Sequence, residues 1–453
     1  MYVADSRGTP ATPAVTAEAA AAPGAPRPGR RAALAPTVLA LGTVSLITDI
    51  SSEMVTAVLP LYLVAGLGLS PLGFGLLDGL YQGVGALVRL LGGHLGDRTG
   101  RHKVFAGLGY GLSALCKPLL LLAHSLPAVG AVLALDRTGK GLRTAPRDAL
   151  ISLASAPEER GRAFGVHRAM DTAGALIGPL AAYLVLRGAA DGYDAVFTVS
   201  SCVAALGVLV LVLFVPGRPP GGPKAASGAA GDGRSSGPAA DPAAGASASG
   251  PAGGGGGPGR PSLRGSLGLL RLPDLRRISL CALLLGLCTV SDAFVFLLLQ
   301  RSTGLADRWF PLLPLGTAAA FFLLALPLGR LADRIGRWRV FLGGHLALLL
   351  CYGLLLAGGG HPALPYAVLL LHGAFYAATD GVLMAAASAT VPDEHRGSGL
   401  ALVQTGQALA RFCCSLAFGA AWTAWGPRPA LAVAGVLLAV AAAAATALRP
   451  ADA

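Results

Sequence analysis

Charge is scarce in this sequence. Only 13% of its residues are Asp, Glu, Lys or Arg, against 54% hydrophobic, whereas a soluble globular domain carries roughly 25% charge. Mean hydropathy is +0.63. Runs such as GVLVLVLFV and LAVAGVLLAVAAAAATAL are too apolar and too many for a soluble core. Lysine is scarcer still: Lys103, Lys117, Lys140 and Lys224 are the only four among 35 bases. The seven cysteines are odd in number, lie in apolar runs and form no Cys-x-x-Cys, which excludes a disulfide framework or a zinc cluster. The eight histidines include no pair at ligand spacing, so no metal site is expected. A Gly-x-x-x-x-Gly-Lys-Ser/Thr phosphate loop is missing, which argues against direct ATP drive. Without a nucleophile elbow, a His-Glu-x-x-His or a large polar domain, no catalytic residue and no cofactor are expected, and the chain is not read as an enzyme.

What is there is hydrophobic length. About 20 apolar residues cross a bilayer core as a helix. Twelve candidate spans fall near 36–66, 71–95, 104–124, 128–152, 163–187, 194–216, 275–300, 310–331, 339–357, 364–390, 398–424 and 429–448. The fold class is therefore an all-α membrane protein of twelve transmembrane helices. Residues 1–34, rich in Ala and Pro, are expected to be a disordered cytoplasmic tail, and the apolar run after them a retained first helix, not a cleaved signal. Residues 217–274, dominated by Gly, Ala, Pro and Ser up to 262, cannot bury enough apolar surface to fold. They read as a largely disordered cytoplasmic linker between bundles 35–216 and 275–448, with a short tail at 449–453. The net charge of +12 is unevenly placed. Twenty-three Lys and Arg fall in the loops and tails of one side, eight within spans, and four (Arg187, Arg301, Arg308, Arg428) on the other. This bias puts both termini in the cytoplasm of a cell with the protein in its plasma or inner membrane, and makes nucleic acid an unsuitable partner.

The two halves repeat. GHLGDRTGRHKVF (93–105) matches GRLADRIGRWRVF (329–341) at a spacing of 236, with eight of thirteen positions identical. At the same spacing EERG (158–161) falls on EHRG (394–397). Two matches in one register indicate a duplicated six-helix unit, and parallel repeats about an axis along the membrane normal build one class of transporter. The register also interprets LDRTGKGLRTAPRDAL (135–150), which packs six charges into thirteen residues. Shifted by 236, residues 136–148 land on the apolar stretch HGAFYAATDGVLM. The charged stretch is then the fourth membrane helix; the alternative is a polar loop.

A charge at mid-helix costs about 2.5–3.5 kcal/mol on insertion scales, so it must be paired or wet. Sixteen lie within spans: Asp49, Glu53, Asp78, Asp136, Asp148, Asp171, Asp292, Asp380, Arg89, Lys117, Arg137, Lys140, Arg143, Arg147, Arg168 and Arg411. Thirteen are in the first half. Asp136, Lys140, Arg143 and Arg147 form an i, i+4, i+7, i+11 stripe, and Asp49, Ser52, Glu53 and Thr56 share a face of the first helix. Two carboxylates facing a basic stripe across wet space can bind an anion or carry a proton; permanent internal salt bridges are the alternative. Asp49 and Glu53 are the proton-coupling candidates. Asp136, Arg137, Lys140, Arg143, Asp292, Asp380 and Arg411 are the substrate-cavity candidates, with Asp380 and Arg411 a candidate pair.

Gly93-x-x-x-Asp97-Arg98-x-Gly100-Arg101-x-Lys103 resembles the loop-2/3 signature of the major facilitator superfamily, and 329–339 resembles its second copy. Arg137-x-x-Lys140-Gly141 resembles the fourth-helix Arg-x-x-Gln-Gly signature, with Lys in place of Gln. TDISSEM (48–54) and KGLRTAPRDA (140–149) resemble a bacterial branch that includes magnetosome-associated proteins linked to iron, which hints at iron or a metallophore. The resemblance implies two six-helix bundles rocking about a central cavity lined by helices 1, 4, 7 and 10. It also implies a cytoplasmic conformational latch of Gly93, Asp97, Arg101 and Asp148, with Asp333 and Arg337 in the second copy. The expected function is secondary transport of a small molecule by a monomer in the lipid bilayer. Proton-coupled export is the first reading; proton-coupled uptake of a small anion or metallophore is the alternative. A membrane enzyme or a non-transporting receptor is the reading from another class.

Overall fold

A computed structural model describes residues 34–99, 102–156, 159–189, 192–216, 268–358, 361–391 and 396–448. Most of the N-terminal tail and the linker lie outside these residues. In lipid every backbone N–H and C=O must be satisfied within the chain, which leaves the helix as the economical solution. The first half contains α1 (Pro36–Leu61, prolonged by a π-turn over Tyr62–Gly66), α2 (Pro71–Thr99), α3 (His102–Leu122), α4 (Leu126–Leu153), α5 (Arg160–Gly188) and α6 (Gly192–Phe214). The second contains α7a (Pro273–Cys288), α7b (Asp292–Thr303), α8 (Leu312–Ile335), α9 (Arg337–Ala357), α10 (Leu364–Ala389), α11 (Arg396–Trp425) and α12 (Pro427–Ala447). Prolines open α1, α4, α7a, α10 and α12, where the missing N–H has no partner to lose.

The duplication is visible in the boundaries. Shifted by 236, α5 becomes 396–424 against Arg396–Trp425, and α3 becomes 338–358 against Arg337–Ala357. Residues 126–153 form one continuous helix, α4, at the place of α10, so the fourth-span reading holds over the loop reading. Among the described residues nine spans have the length and hydropathy of a membrane-crossing helix; α2, α4 and α11 do not. For α4 the cause is its six charges.

The seventh span, Pro273–Thr303, is interrupted within: its helix stops at Cys288 and resumes at Asp292. The freed groups are taken over by side chains. Tyr352 accepts from the Val290 N–H at 2.8 Å, and the Cys414 thiol donates to the Thr289 carbonyl at 3.2 Å.

Small residues let helices touch backbone to backbone. A Cβ on Gly178 of α5 would lie 2.8 Å from the Ile50 carbonyl oxygen of α1, and one on Gly139 of α4 2.8 Å from the Gly109 carbonyl of α3. The two bundles seal against each other in the half away from the chain ends. There Leu72 N–H donates to Thr423, the Phe74 and Phe294 rings meet edge to face, and Tyr183 packs on Trp309.

Candidate functional site

The charged face of α4 divides between two neighbours. Asp136 turns to α3, where it takes Lys117 at 2.9 Å and the Ser113 hydroxyl at 2.6 Å, and it holds Arg137 beside it at 2.7 Å. All three charges are buried. Removing such ions from water costs several kcal/mol each, repaid only with good geometry and further hydrogen bonds. Asp136, a substrate-cavity candidate in the sequence, thus has the contacts of a structural anchor, and it is not among the residues lining the two cavities described below. The i, i+4 stripe fixed its face but not which helix that face meets.

The later part of the stripe meets α1 and α5. Arg143 reaches Asp49 at 3.3 Å and lies over the Tyr110 ring at 4.4 Å. Lys140 stands 3.8 Å from Glu53, both partly exposed. Arg147 contacts Asp148 at 3.0 Å and Asp171 at 3.7 Å, and Arg168 contacts Asp171 at 3.4 Å. Behind them Ser45 joins Tyr110 (3.2 Å), His167 (3.0 Å) and Arg147 (3.4 Å). In front of them is a pocket of about 340 Å³ in the half of the bundle nearer the chain ends. Its wall carries five bases, Arg137, Lys140, Arg143, Arg147 and Arg168, against two acids, Asp49 and Asp171. The remaining acids sit behind the wall (Asp136), beside Arg147 outside the lining (Asp148) or on a neighbouring cavity (Glu53).

That neighbouring cavity, about 230 Å³, lies between the bundles on the sealed side. Glu53, Asp78 and Asp292 line it with Thr56, Tyr81, Gln82 and apolar side chains, and among the described residues no base does. Tyr81 lines this cavity, with Arg137 of the other pocket 3.8 Å above its ring and Thr56 bonded to its hydroxyl at 3.0 Å. Asp78 accepts from Ser415 across the bundle interface at 2.5 Å. The cavity draws its wall from α1, α2, α4 and α7b, with Phe310 and Pro314 at the start of α8; α10 is not among its lining.

In the second half Asp292 accepts from Tyr376 at 2.5 Å and faces His372 at 3.4 Å. Asp380 and Arg411 line one pocket of about 30 Å³ and attract each other there. Asp292 and Asp380 also share a more open pocket of about 270 Å³. Among the described residues no group of three His, Cys, Asp or Glu could hold a metal ion.

Of the latch residues, Gly93 and Asp97 fall on the last turns of α2, but their side chains and Arg101 lie outside the described residues. Asp148 pairs with Arg147. Asp333 and Arg337 flank Gly336, whose φ of +100° turns the chain from α8 to α9.

Sequence reasoning passed over Ser45, Tyr81, Tyr110, Ser113 and His167. Tyr81 carried a signal, since it falls one turn after Asp78 on the same face. The others are single polar residues in apolar helices and announce nothing alone.

The sequence profile of the Major Facilitator Superfamily matches residues 41–321 and 293–453. An uncharacterised MFS-type transporter of Methanocaldococcus jannaschii is 28% identical over 400 residues, covering 86% of this chain and 89% of its own. An uncharacterised protein of Mycobacterium tuberculosis is 34% identical over 174 residues, 38% of this chain and 40% of its own. Among solved structures the chain is similar in fold to the nucleoside transporter NupG, with a TM-score of 0.70 at 12% identity over 91% of this chain and 98% of that one. It is also similar to a bacterial homologue of the human lysosomal transporter Spinster in an inward-facing, unoccupied conformation, with a TM-score of 0.67 at 15% identity over 91% and 96%. The chain belongs to the Major Facilitator Superfamily, as a multi-pass membrane transporter of that type.

Proposed function

We propose that the protein moves a small anion together with protons, as a symporter. The observation that carries this reading is the 340 Å³ pocket with five bases and two acids on its wall. Two of those bases are held by the proton-coupling candidates: Arg143 by Asp49 and Lys140 by Glu53. An entering anion competes with each carboxylate for its base. A proton on the carboxylate removes the competitor, so proton and anion favour each other's binding, and the coupling is reciprocal. Under an inward proton gradient this drives uptake.

The acid-lined 230 Å³ cavity supports a second reading, proton-coupled export of an amphipathic cation, with Asp78 and Asp292 as its acids. Thermal-shift screening of the purified protein separates the two. The first reading expects stabilisation by anions such as phosphate or citrate, lost in Lys140→Gln and Arg143→Gln. Stabilisation by organic cations alone, lost in Asp292→Asn, would replace it with the second.

A further inference from the structure

We propose that Ser45 and Tyr110 are positioning residues for Arg143, and that the fork they fix makes the pocket selective for oxyanions, carboxylate or phosphate, over anions of equal charge that a fork cannot grip. The inference rests on the anion reading above and names the chemical class of its ligand.

Arg143 is set from its root outward. Gly109 of α3 packs directly on it: a Cβ there would lie 2.8 Å from both the backbone nitrogen and the Cβ of Arg143. The next residue, Tyr110, puts its ring beneath the guanidinium, 4.4 Å from Cζ to the ring centroid. The Tyr110 hydroxyl is bonded in turn to Ser45 at 3.2 Å, and Ser45 to His167 at 3.0 Å and to Arg147 at 3.4 Å. Side chains of α1, α3, α4 and α5 thus meet at one hydroxyl. Its capacity is fully used. A serine oxygen has one hydrogen to give and two lone pairs, and Arg147 can only donate, so it takes one lone pair. Between Tyr110 and His167 the serine donates to one and accepts from the other, and either direction fills all three places. Ser45, Tyr110 and His167 are each at most 3% exposed, so water does not replace a lost partner. None of the three lines the 340 Å³ pocket; they act through the arginines that do. The duplicate bundle packs without this network. At a spacing of 236 it carries Cys281 for Ser45, Leu346 for Tyr110, Thr379 for Arg143, Leu383 for Arg147 and Val403 for His167.

A guanidinium is a planar array of five N–H groups. Asp49 takes Arg143 through Nη2 at 3.3 Å, and the side chain lines the pocket. A carboxylate or phosphate presents two oxygens at the spacing of such a fork and takes two parallel hydrogen bonds from it; a halide takes only its charge. A fork already held in place loses less freedom when the oxyanion binds. Lys140 is a point charge on a flexible stem, with its side chain 35% exposed, and attracts both kinds of anion alike. Attraction therefore comes from the excess of bases on the wall, and selectivity from the supported fork.

Competition against citrate, measured by titration calorimetry on the full chain in detergent, tests this with acetate and chloride. The two carry the same charge and differ in whether a fork can grip them. Acetate should compete better than chloride in the parent. Ser45→Ala, Tyr110→Leu and Arg143→Lys should each shrink the acetate-to-chloride preference by about tenfold, the scale of one charge-assisted hydrogen bond. Lys140→Gln should weaken both competitors by the same factor and leave the preference unchanged. Thermal unfolding without ligand controls for folding; if Ser45→Ala or Tyr110→Leu does not fold, Tyr110→Phe, which keeps the ring and loses the bond to Ser45, and Arg143→Lys, which keeps the charge, carry the test. A parent that binds citrate but in which acetate competes no better than chloride overturns the inference and keeps the anion reading. A preference left intact in the folded variants overturns it as well. A parent that binds none of citrate, phosphate, acetate or chloride defeats the anion reading itself.

Discussion

The two halves of this protein share one architecture and differ in chemistry. In register at a spacing of 236, Asp49 corresponds to Leu285, Glu53 to Thr289, Asp136 to His372, Lys140 to Tyr376, Arg143 to Thr379, Arg147 to Leu383 and Asp171 to Gln407. Apart from His372, which faces Asp292 at 3.4 Å, these positions carry uncharged polar or apolar residues in the second half. Where Glu53 faces Lys140 across α1 and α4, Asp292 accepts from Tyr376 across α7b and α10. Where Lys117 and Arg137 hold Asp136, Thr317 meets His372 at 3.4 Å. The second half is packed instead with rings, Phe294 against Phe418 and Trp422, and Phe341 and Phe375 about His345. A six-helix bundle of this form therefore does not require an intramembrane ion network as extensive as that of the first half, whose charges each cost free energy on insertion.

The largest expected effect tests the one cluster assigned to structure. Asp136→Asn leaves Lys117 and Arg137 without their shared acid and should destabilise by about 3–5 kcal/mol, read as thermal unfolding in detergent. Its counterpart His372→Asn should cost about 1 kcal/mol. Equal losses would erase the contrast between the halves.

Next come the pocket bases. Lys140→Gln and Arg143→Gln should each weaken binding of an anion such as citrate by about 10- to 100-fold, the value of one charge-assisted hydrogen bond. Thr379→Val, at the position matching Arg143, should change it by less than about threefold. In the parent, binding should tighten as pH falls, because the proton removes a competitor of the anion. Titration calorimetry measures both.

A smaller effect is expected at the seal. Gly75 of α2 lies against the Ser415 backbone and Gly419 of α11. Gly75→Leu should overpack this contact by about 1–3 kcal/mol and favour opening on the face away from the chain ends. A single cysteine at Leu77 should then label faster with an aqueous reagent. Deleting residues 222–258 should matter least, within about 0.5 kcal/mol, since their composition offers nothing to pack; unchanged membrane insertion checks it.

Much of the fold could be read from the chain. The repeat at 236 placed α4 in the membrane although its own hydropathy argues against it, because the partner stretch 372–384 is apolar. The break in the seventh span could not be read, since Thr289-Val290-Ser291 contains neither Pro nor Gly. It depends on Tyr352 and Cys414, which lie far away in sequence. The site was half legible. Periodicity grouped Lys140, Arg143 and Arg147 on one face and Asp49 with Glu53 on another. It could not show that Asp136 turns to α3, or that Asp171 of α5 joins Asp49 on one pocket wall, because helix rotation and neighbour order are set by tertiary contacts such as Gly174 on Leu46.

The most direct test of the central claim is accumulation in proteoliposomes of an anion such as citrate or phosphate under an imposed pH gradient. The parent should accumulate the anion on the alkaline side and lose it when the gradient is collapsed. Asp49→Asn should still exchange anion across the membrane but fail to concentrate it. Accumulation by Asp49→Asn at the parent level, or accumulation of organic cations with no response to any anion, would contradict it.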